Sequence, residues 1–232
     1  MKPIAVFYHC LFCLDKPNNL LPQAYQIVYE QMQQAFSAGL CAEASQFFAG
    51  VNGGSESILY SKLLLPEKAK CVYHGLQSRS ENLTIVEIEK WAREHPGWYV
   101  LYFHAKGCTH PTGDPVRTAW RNCMMWYLIT NWRRCVADLD AGYEVVGCHL
   151  LEYPVIPWTQ RIFAGNFWWA RSCYLANLPS IYDRARIKES GIGTLESRFE
   201  SEVWLFNGPR RPFLRDYHAA DPRRADAHPL MT

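Results

Sequence analysis

Apolar residues along the chain follow two patterns, short continuous runs and longer stretches with helical spacing. The runs are rich in aromatic and β-branched residues, which predicts strands over residues 4–8, 46–51, 70–74, 99–103 and 143–151. Spacings of three and four residues predict helices over residues 23–38, 84–95 and 115 to about 139. Because strands alternate with helices, the sequence predicts the α/β class, with one mostly parallel central sheet flanked by helices.

The run at residues 99–103 has almost no polar residue, which predicts a central strand covered on both faces. His104, Lys106 and Gly107 follow it directly. In open α/β sheets ligands bind beyond the carboxyl ends of the strands, so a cation there is placed for an anionic substrate. Lysine binds phosphate as a point charge, and glycine lets the backbone come close. The alternative is an ordinary solvated lysine in a loop between strand and helix.

Two helix starts carry capping signals. Thr84 followed by Glu87 fits a capping box, and Asp114 before Pro115 fits an N-cap with proline at the first helical position. The helix predicted from residue 115 has apolar residues on two faces, which indicates that it is largely buried.

Composition restricts the partners and the location. The net charge of +2 is too small to indicate nucleic-acid binding. No apolar run approaches the roughly 20 residues of a membrane span, and residues 1–4 show no signal-peptide pattern. The nine cysteines lie mostly in apolar stretches, which favours buried thiols in a reducing compartment. We therefore expect a cytoplasmic protein without a transmembrane segment.

The segment Gly165–Trp169, with the sequence Gly-Asn-Phe-Trp-Trp, is a second candidate site. Neighbouring residues of a strand point to opposite faces, so one of Trp168 and Trp169 is expected in the core and the other exposed. Asn166 offers two donors and an acceptor, which suits a sugar hydroxyl. The alternative places both indoles in the core.

Three further pairs have competing interpretations. Arg198 and Glu202 are four residues apart on a predicted helix, where they form either part of a site or a surface ion pair. Cys10 and Cys13 have the spacing of a redox pair, although the segment after them resembles a turn rather than a helix. Asp138 and Asp140 match a metal-binding Asp-x-Asp, but their place at a helix end predicts a solvated terminus.

Taken together, these stretches resemble glycosyltransferases of bacterial and viral polysaccharide synthesis with the nucleotide-diphospho-sugar (GT-A) fold. The resemblance covers residues 4–206. Its most specific landmarks are His104-Ala-Lys-Gly107 and Gly165-Asn-Phe-Trp-Trp169, and the others are Tyr8-His9, Gln31, Gly39-Leu40, Trp120-Arg121, Val146-Gly147, Arg198 and Glu202-Val-Trp204. It implies a single Rossmann-like GT-A domain over residues 1–208. Residues 209–232 lie outside the resemblance, and their composition, dominated by Arg, Pro, Asp and Ala, predicts a poorly packed basic tail.

The resemblance also implies the activity. The expected reaction moves a hexosyl or deoxyhexosyl group from a nucleotide-diphospho-sugar to a glycan or lipid-linked glycan, with inversion at the anomeric carbon. The partners are therefore that donor and that acceptor, and the basic tail could touch an anionic membrane surface.

The implied site has three parts. Glu202 is the candidate catalytic base. The residues expected to bind the donor are Tyr8, His9, His104, Lys106, Gly107 and Arg121. The residues expected to bind the sugar and acceptor are Gly165, Asn166, Trp168, Trp169 and Arg198, with an exposed indole stacking on a pyranose.

The metal of the GT-A pattern is not assigned. The position that carries Asp-x-Asp in that pattern holds His104-Ala-Lys106 here. Magnesium or manganese is therefore not the favoured cofactor, and we predict that Lys106, with His104 or Arg121, neutralises the donor diphosphate instead. Two other functions stay open, a non-catalytic carbohydrate-binding domain and a thiol oxidoreductase that uses Cys10 and Cys13.

Overall fold

The computed structural model describes residues 2–12, 21–75, 81–108, 114–155, 158–183 and 200–217. Its helices are α1 (Leu21–Ser37), α2 (Leu40–Glu43), α3 (Glu56–Leu64), α4 (Glu81–Glu94), α5 (Pro115–Met125), α6 (Trp132–Asp140), α7 (Ser172–Leu175) and α8 (Glu200–Trp204), with a π-helical turn at Trp126–Thr130. Its strands are β1 (Ile4–Phe12), β2 (Gln46–Gly53), β3 (Ala69–Gly75), β4 (Tyr99–His104), β5 (Val145–Gly147), β6 (Leu150–Val155), β7 (Trp158–Phe163), β8 (Trp168–Arg171) and β9 (Leu214–Asp216).

Seven strands form one sheet in the order β3-β2-β1-β4-β8-β5-β9, and β6 and β7 form a separate hairpin. The pairs among β1 to β4 are parallel, whereas β8 runs antiparallel to both of its neighbours. The predicted α/β class with a mostly parallel central sheet is confirmed.

Helices cover both faces of the sheet. One core, packed under α1, α5, α6 and the π-helical turn, contains Val6, Leu101 and Trp169. The other core, under α4, α7 and α8, contains Phe7 and Val100. Successive residues of β1 and β4 thus enter opposite cores, which explains why these strands are apolar without interruption.

Several predicted elements are confirmed, and others differ. Asp114 caps α5 as expected, because its carboxylate accepts from the backbone of Val116 and Arg117, both at 3.1 Å. The helix predicted to continue to about residue 139 is interrupted by the π-helical turn. The start predicted at Thr84 is wrong, because α4 begins one turn earlier at Glu81.

The strand predicted over residues 143–151 is divided into β5 and β6. His149 lies between them with a φ of 60°, and a Cβ at Gly147 would lie 2.5 Å from the Phe163 ring. The chain leaves the sheet at this point, so its second half begins the separate hairpin.

The segment predicted as a poorly packed tail from residue 209 differs from that prediction where it is described. Leu214–Asp216 forms β9 at the edge of the sheet, and Tyr217 is buried with its ring stacked 5.7 Å from that of Tyr127. Residues 218–232 lie outside the described residues. Among those that are described, no helix combines the length and apolar character needed to cross a bilayer.

Candidate active site

On the α4 side of the sheet, the buried side chains change from apolar to polar toward the carboxyl ends of the strands. Along β1, Phe7 is followed by His9, and along β4 Val100 is followed by Tyr102 and then His104. His9 and His104 are direct partners in the parallel register, so the two imidazoles lie side by side at the same edge. The N-terminus of α4 packs over them, which places its first residue, Glu81, at this edge.

Glu81 joins three segments of the chain. One carboxylate oxygen lies 3.1 Å from His104 Nδ1. The other accepts from the Tyr102 hydroxyl and from Asn166 Nδ2, each at 3.0 Å. Although burial alone would raise the pKa of Glu81, the neighbouring His104 imidazole and the hydrogen bond from Asn166 hold it well below its usual value. Glu81 is therefore a carboxylate with most of its accepting capacity already in use.

The turn at Gly165 and Asn166 completes this network. Both residues have positive φ, 95° and 55°, so Asn166 takes a conformation that non-glycine residues rarely adopt. The turn directs the Gly165 carbonyl to His104 Nε2 at 2.9 Å, and the Asn166 amide oxygen accepts from Trp168 Nε1 at 3.0 Å. A Cβ at Gly165 would lie 2.5 Å from Met124 Sδ, so only glycine fits there.

His9 is buried beside this network. Its Nδ1 lies 2.8 Å from Thr84 Oγ1, and its Nε2 lies 3.3 Å from Asn52 Nδ2. Because an amide nitrogen can only donate, Nε2 accepts and the ring is neutral. Burial lowers the pKa of His9 to about 4, against the opposing pull of Glu81.

This shift makes His9 a source of acid sensitivity. The folded state binds the His9 proton only near pH 4, whereas the unfolded chain binds it near pH 6.5, so stability is complete above pH 6.5 and falls between these values. The expected loss from His9 alone is about 3 kcal/mol of unfolding free energy. Denaturant unfolding of His9→Gln across this range should show a flatter pH dependence than the wild type. An unchanged slope would mean that His9 is already charged in the folded protein.

Lys106 and Gly107 form the turn that leaves β4. Gly107 has a φ of 95°, and a Cβ there would lie 3.3 Å from Arg121 Nη1. The buried Arg121 donates to the Lys106 carbonyl at 3.2 Å and lies 3.5 Å from Glu30. Lys106 Nζ lies 4.4 Å from the centre of the Trp120 ring. The structure therefore brings Lys106, Gly107 and Arg121 together, and Arg121 supports the turn through its bond to the Lys106 carbonyl.

Tyr8 occupies the opposite face of the sheet and is fully buried. Its hydroxyl donates to Gln31 Oε1 at 2.6 Å, and Gln31 Nε2 donates to the His104 carbonyl at 3.0 Å. Burial raises the pKa of Tyr8 well above its ordinary value. Tyr8 thus supports the end of β4 from within the core rather than presenting its side chain at a surface.

The expectation of an exposed indole in the Gly-Asn-Phe-Trp-Trp segment is wrong. Trp168 and Trp169 do point to opposite faces, but both faces are covered and both side chains are fully buried. Trp169 Nε1 donates to the Leu128 carbonyl, in the π-helical turn, at 2.8 Å. The partly exposed indole of the site is Trp120, beside Lys106 and Gly165, which sequence reasoning noted only as a landmark.

Glu202 lies on α8, which packs against α4. Burial and the Glu81 carboxylate raise the pKa of Tyr102, and the charge of Glu202 adds a smaller contribution in the same direction. On the same helix, Glu200 accepts from Asn82 Nδ2 at 2.9 Å. The structure therefore places Glu202 on the Glu81 and Tyr102 side of the edge. Arg198 lies outside the described residues.

The Asp-x-Asp match does not fit a metal site at this edge. Asp138 accepts from the Tyr217 hydroxyl at 2.6 Å and Asp140 accepts from the hydroxyl of Tyr99, the first residue of β4. Asp140 thus lies at the opposite, amino-terminal edge of the sheet, where it is exposed at the end of α6 as the prediction of a solvated terminus expected, whereas Asp138 is only partly exposed. Within the described ranges, no group of three or more His, Cys, Asp or Glu side chains is arranged to hold a metal ion.

Cys10 is fully buried inside β1, and burial raises the pKa of its thiol well above the ordinary value. A redox pair needs an accessible thiolate, so this position disfavours the oxidoreductase alternative. Its predicted partner, Cys13, lies outside the described residues.

Comparison with known proteins identifies the family. The family model described as Domain of unknown function (DUF8361) matches residues 7–210. The chain belongs to this family. A search of the curated proteins finds no match to this DUF8361 chain.

Two solved structures are similar to this DUF8361 protein. One from Desulfovibrio desulfuricans G20, named a nucleotide-diphospho-sugar transferase, is 11% identical with a TM-score of 0.50, and the match covers 93% of this chain and 80% of that one. A 4-diphosphocytidyl-2C-methyl-D-erythritol synthase from Anaerococcus prevotii DSM 20548 is 10% identical with a TM-score of 0.43, and the match covers 94% and 89%. At such identities the first likeness establishes the α/β architecture alone.

Proposed function

We propose that this protein is a glycosyltransferase that moves a sugar from a nucleotide-diphospho-sugar to a glycan or lipid-linked glycan acceptor. The observation that carries the proposal is the turn after β4, which brings the Lys106 ammonium to the carboxyl edge of a mostly parallel sheet and is supported by the buried Arg121, itself paired with Glu30. Ligands of open α/β sheets bind at this edge. The name of the Desulfovibrio desulfuricans structure with the same architecture supports the choice of donor.

The chemistry follows from where charge develops. When the sugar leaves, negative charge builds up on the nucleoside diphosphate, and fixed positive charge beside it lowers the barrier. Lys106 contacts the diphosphate in this proposal, and Arg121 keeps the turn in place through the Lys106 carbonyl. Trp120 lies under the Lys106 ammonium, so an indole face borders the same space.

Glu202 is the proposed general base. It removes the proton of the acceptor hydroxyl, whose oxygen attacks the anomeric carbon from the side opposite the leaving diphosphate. The carboxylate Glu81 is nearer the centre of the network, but its hydrogen bonds to Tyr102 and Asn166 and its contact with His104 make it a poor base.

The decisive experiment incubates the protein with UDP-, GDP- and dTDP-sugars, with and without glycan and polyprenyl-linked glycan acceptors, and measures released nucleoside diphosphate. We expect release from one nucleotide class, accelerated by an acceptor. Binding of a glycan without release from any donor would instead indicate the non-catalytic carbohydrate-binding function.

The same assay tests metal dependence. Because Lys106 is proposed to do the work of a divalent cation, release in excess EDTA should stay within about twofold of the untreated rate. Loss of turnover on chelation, with recovery on adding Mg²⁺ or Mn²⁺, would contradict the assignment of diphosphate neutralisation to Lys106.

A further inference from the structure

His104 is the residue at which the two halves of the site meet. Its side chain contacts the Glu81 carboxylate at 3.1 Å and the Gly165 carbonyl at 2.9 Å. Its own carbonyl accepts from Gln31 Nε2 at 3.0 Å and from the backbone of Lys106 at 2.7 Å. The His104 side chain thus connects the start of α4 with the turn before β8. Its carbonyl connects the middle of α1 with the start of the Lys106 turn.

The partners of the ring determine its protons. A carboxylate and a carbonyl can only accept hydrogen bonds, so both ring nitrogens must donate for both contacts to be made. An imidazole with two protons is a cation, and the Glu81 carboxylate is the anion that balances it. In this arrangement both ring N–H groups are already used, so the His104 side chain makes no hydrogen bond to a diphosphate.

We propose that Glu81 and His104 form an ion pair that positions the Lys106 turn for the donor. This inference rests on the proposed function, because it assigns the pair a role in donor binding through Lys106. The ion pair fixes the ring of His104, and the backbone of that residue carries the start of the turn. Glu81 also fixes Asn166, whose unusual conformation aims the Gly165 carbonyl at the ring. Glu81 and His104 are thus positioning residues rather than catalytic ones.

The first test observes the ring directly in the wild-type chain. Nitrogen-15 NMR of the histidine rings, assigned by comparison with His104→Gln, should show two bound protons on His104. A ring with a single proton in the wild type would overturn the ion pair. This measurement needs no activity, and it does not require Glu81→Gln to fold.

The second test measures donor affinity. Glu81→Gln keeps the shape of the side chain but removes its charge, and it should weaken binding of the nucleoside diphosphate identified by the donor screen at least tenfold. The control is Glu87→Gln. Glu87 lies on the same helix and forms a surface ion pair with Lys90 at 2.7 Å, which this substitution breaks. It should bind like the wild type.

A double-mutant cycle separates this role from general damage. If the two residues act as a unit, the double variant Glu81→Gln/His104→Gln should bind the nucleoside diphosphate only slightly more weakly than either single variant does. Wild-type affinity in Glu81→Gln would overturn the positioning role while leaving the proposed function intact. A wild-type protein that binds none of the nucleotides would overturn the proposed function and, with it, the link to the donor.

Discussion

Replacing Lys106 with methionine is expected to slow release of nucleoside diphosphate by about 10²- to 10³-fold, the usual cost of removing a group that stabilises developing negative charge. Methionine keeps much of the length and packing of lysine, including its contact with the Trp120 ring, but lacks the ammonium. The loss should appear in both kcat and donor affinity, because the diphosphate carries charge before the reaction as well. Steady-state kinetics with the donor from the screen measure both quantities.

Two further variants make this result specific. Lys62→Met removes an exposed lysine from α3, away from the carboxyl end of β4, and should leave both kinetic constants unchanged. Lys106→Arg keeps the charge but exchanges a compact ammonium for a planar guanidinium, so partial activity is expected. Lys106→Met with wild-type kinetics would show that the ammonium does not contact the diphosphate.

The sequence was sufficient for the α/β class and for the first four strands of the sheet. Uninterrupted apolar runs predicted β1 and β4 correctly because these strands are buried on both faces, where periodicity is lost and composition alone marks a strand. The position of Lys106 at the carboxyl edge followed from the same pattern. The antiparallel direction of β8 was not predicted, because strand direction depends on pairing across the sheet and leaves no mark in a short apolar run.

Glu81 shows why part of the candidate site escaped prediction. The spacing of Thr84 and Glu87 matched a capping box, so the helix was expected to begin at Thr84 and Glu81 was left in the preceding segment. In the structure Thr84 is inside α4 and its hydroxyl lies 2.8 Å from His9 Nδ1. A long-range contact thus uses the hydroxyl that the local pattern assigned to a cap, and no local signal could reveal it.

The prediction that Trp168 or Trp169 would be exposed was wrong for a different reason. Trp168 and Trp169 do face opposite sides of the sheet, as neighbouring strand residues should. The prediction of an exposed indole also assumed that one face of the sheet was open to solvent. β8 lies inside the sheet between β4 and β5, with helices on both faces, so each indole enters a core. Polar atoms then had to be satisfied internally, which Asn166 and the Leu128 carbonyl provide.

Glu202→Gln is expected to reduce kcat by about 10²-fold in the presence of an acceptor, because glutamine cannot take a proton from the attacking hydroxyl. Donor affinity should stay near the wild-type value, since the proposed contacts of Glu202 are with the acceptor and not with the diphosphate. This division between kcat and binding distinguishes Glu202 from Lys106, for which both quantities should change. Rapid-mixing kinetics with donor and acceptor, together with nucleotide titration, measure the two separately.

The matched control lies on the same short helix. Glu200→Gln removes an equal charge two residues away, and glutamine can still accept from Asn82 through its carbonyl oxygen, so the packing of α8 on α4 is kept. If Glu200→Gln turns over close to the wild-type rate while Glu202→Gln loses most of its activity, the effect belongs to the Glu202 carboxylate and not to the negative charge of α8 in general. Equal losses in both variants would point to the charge of α8 as a whole, and a fully active Glu202→Gln would remove this residue from the mechanism.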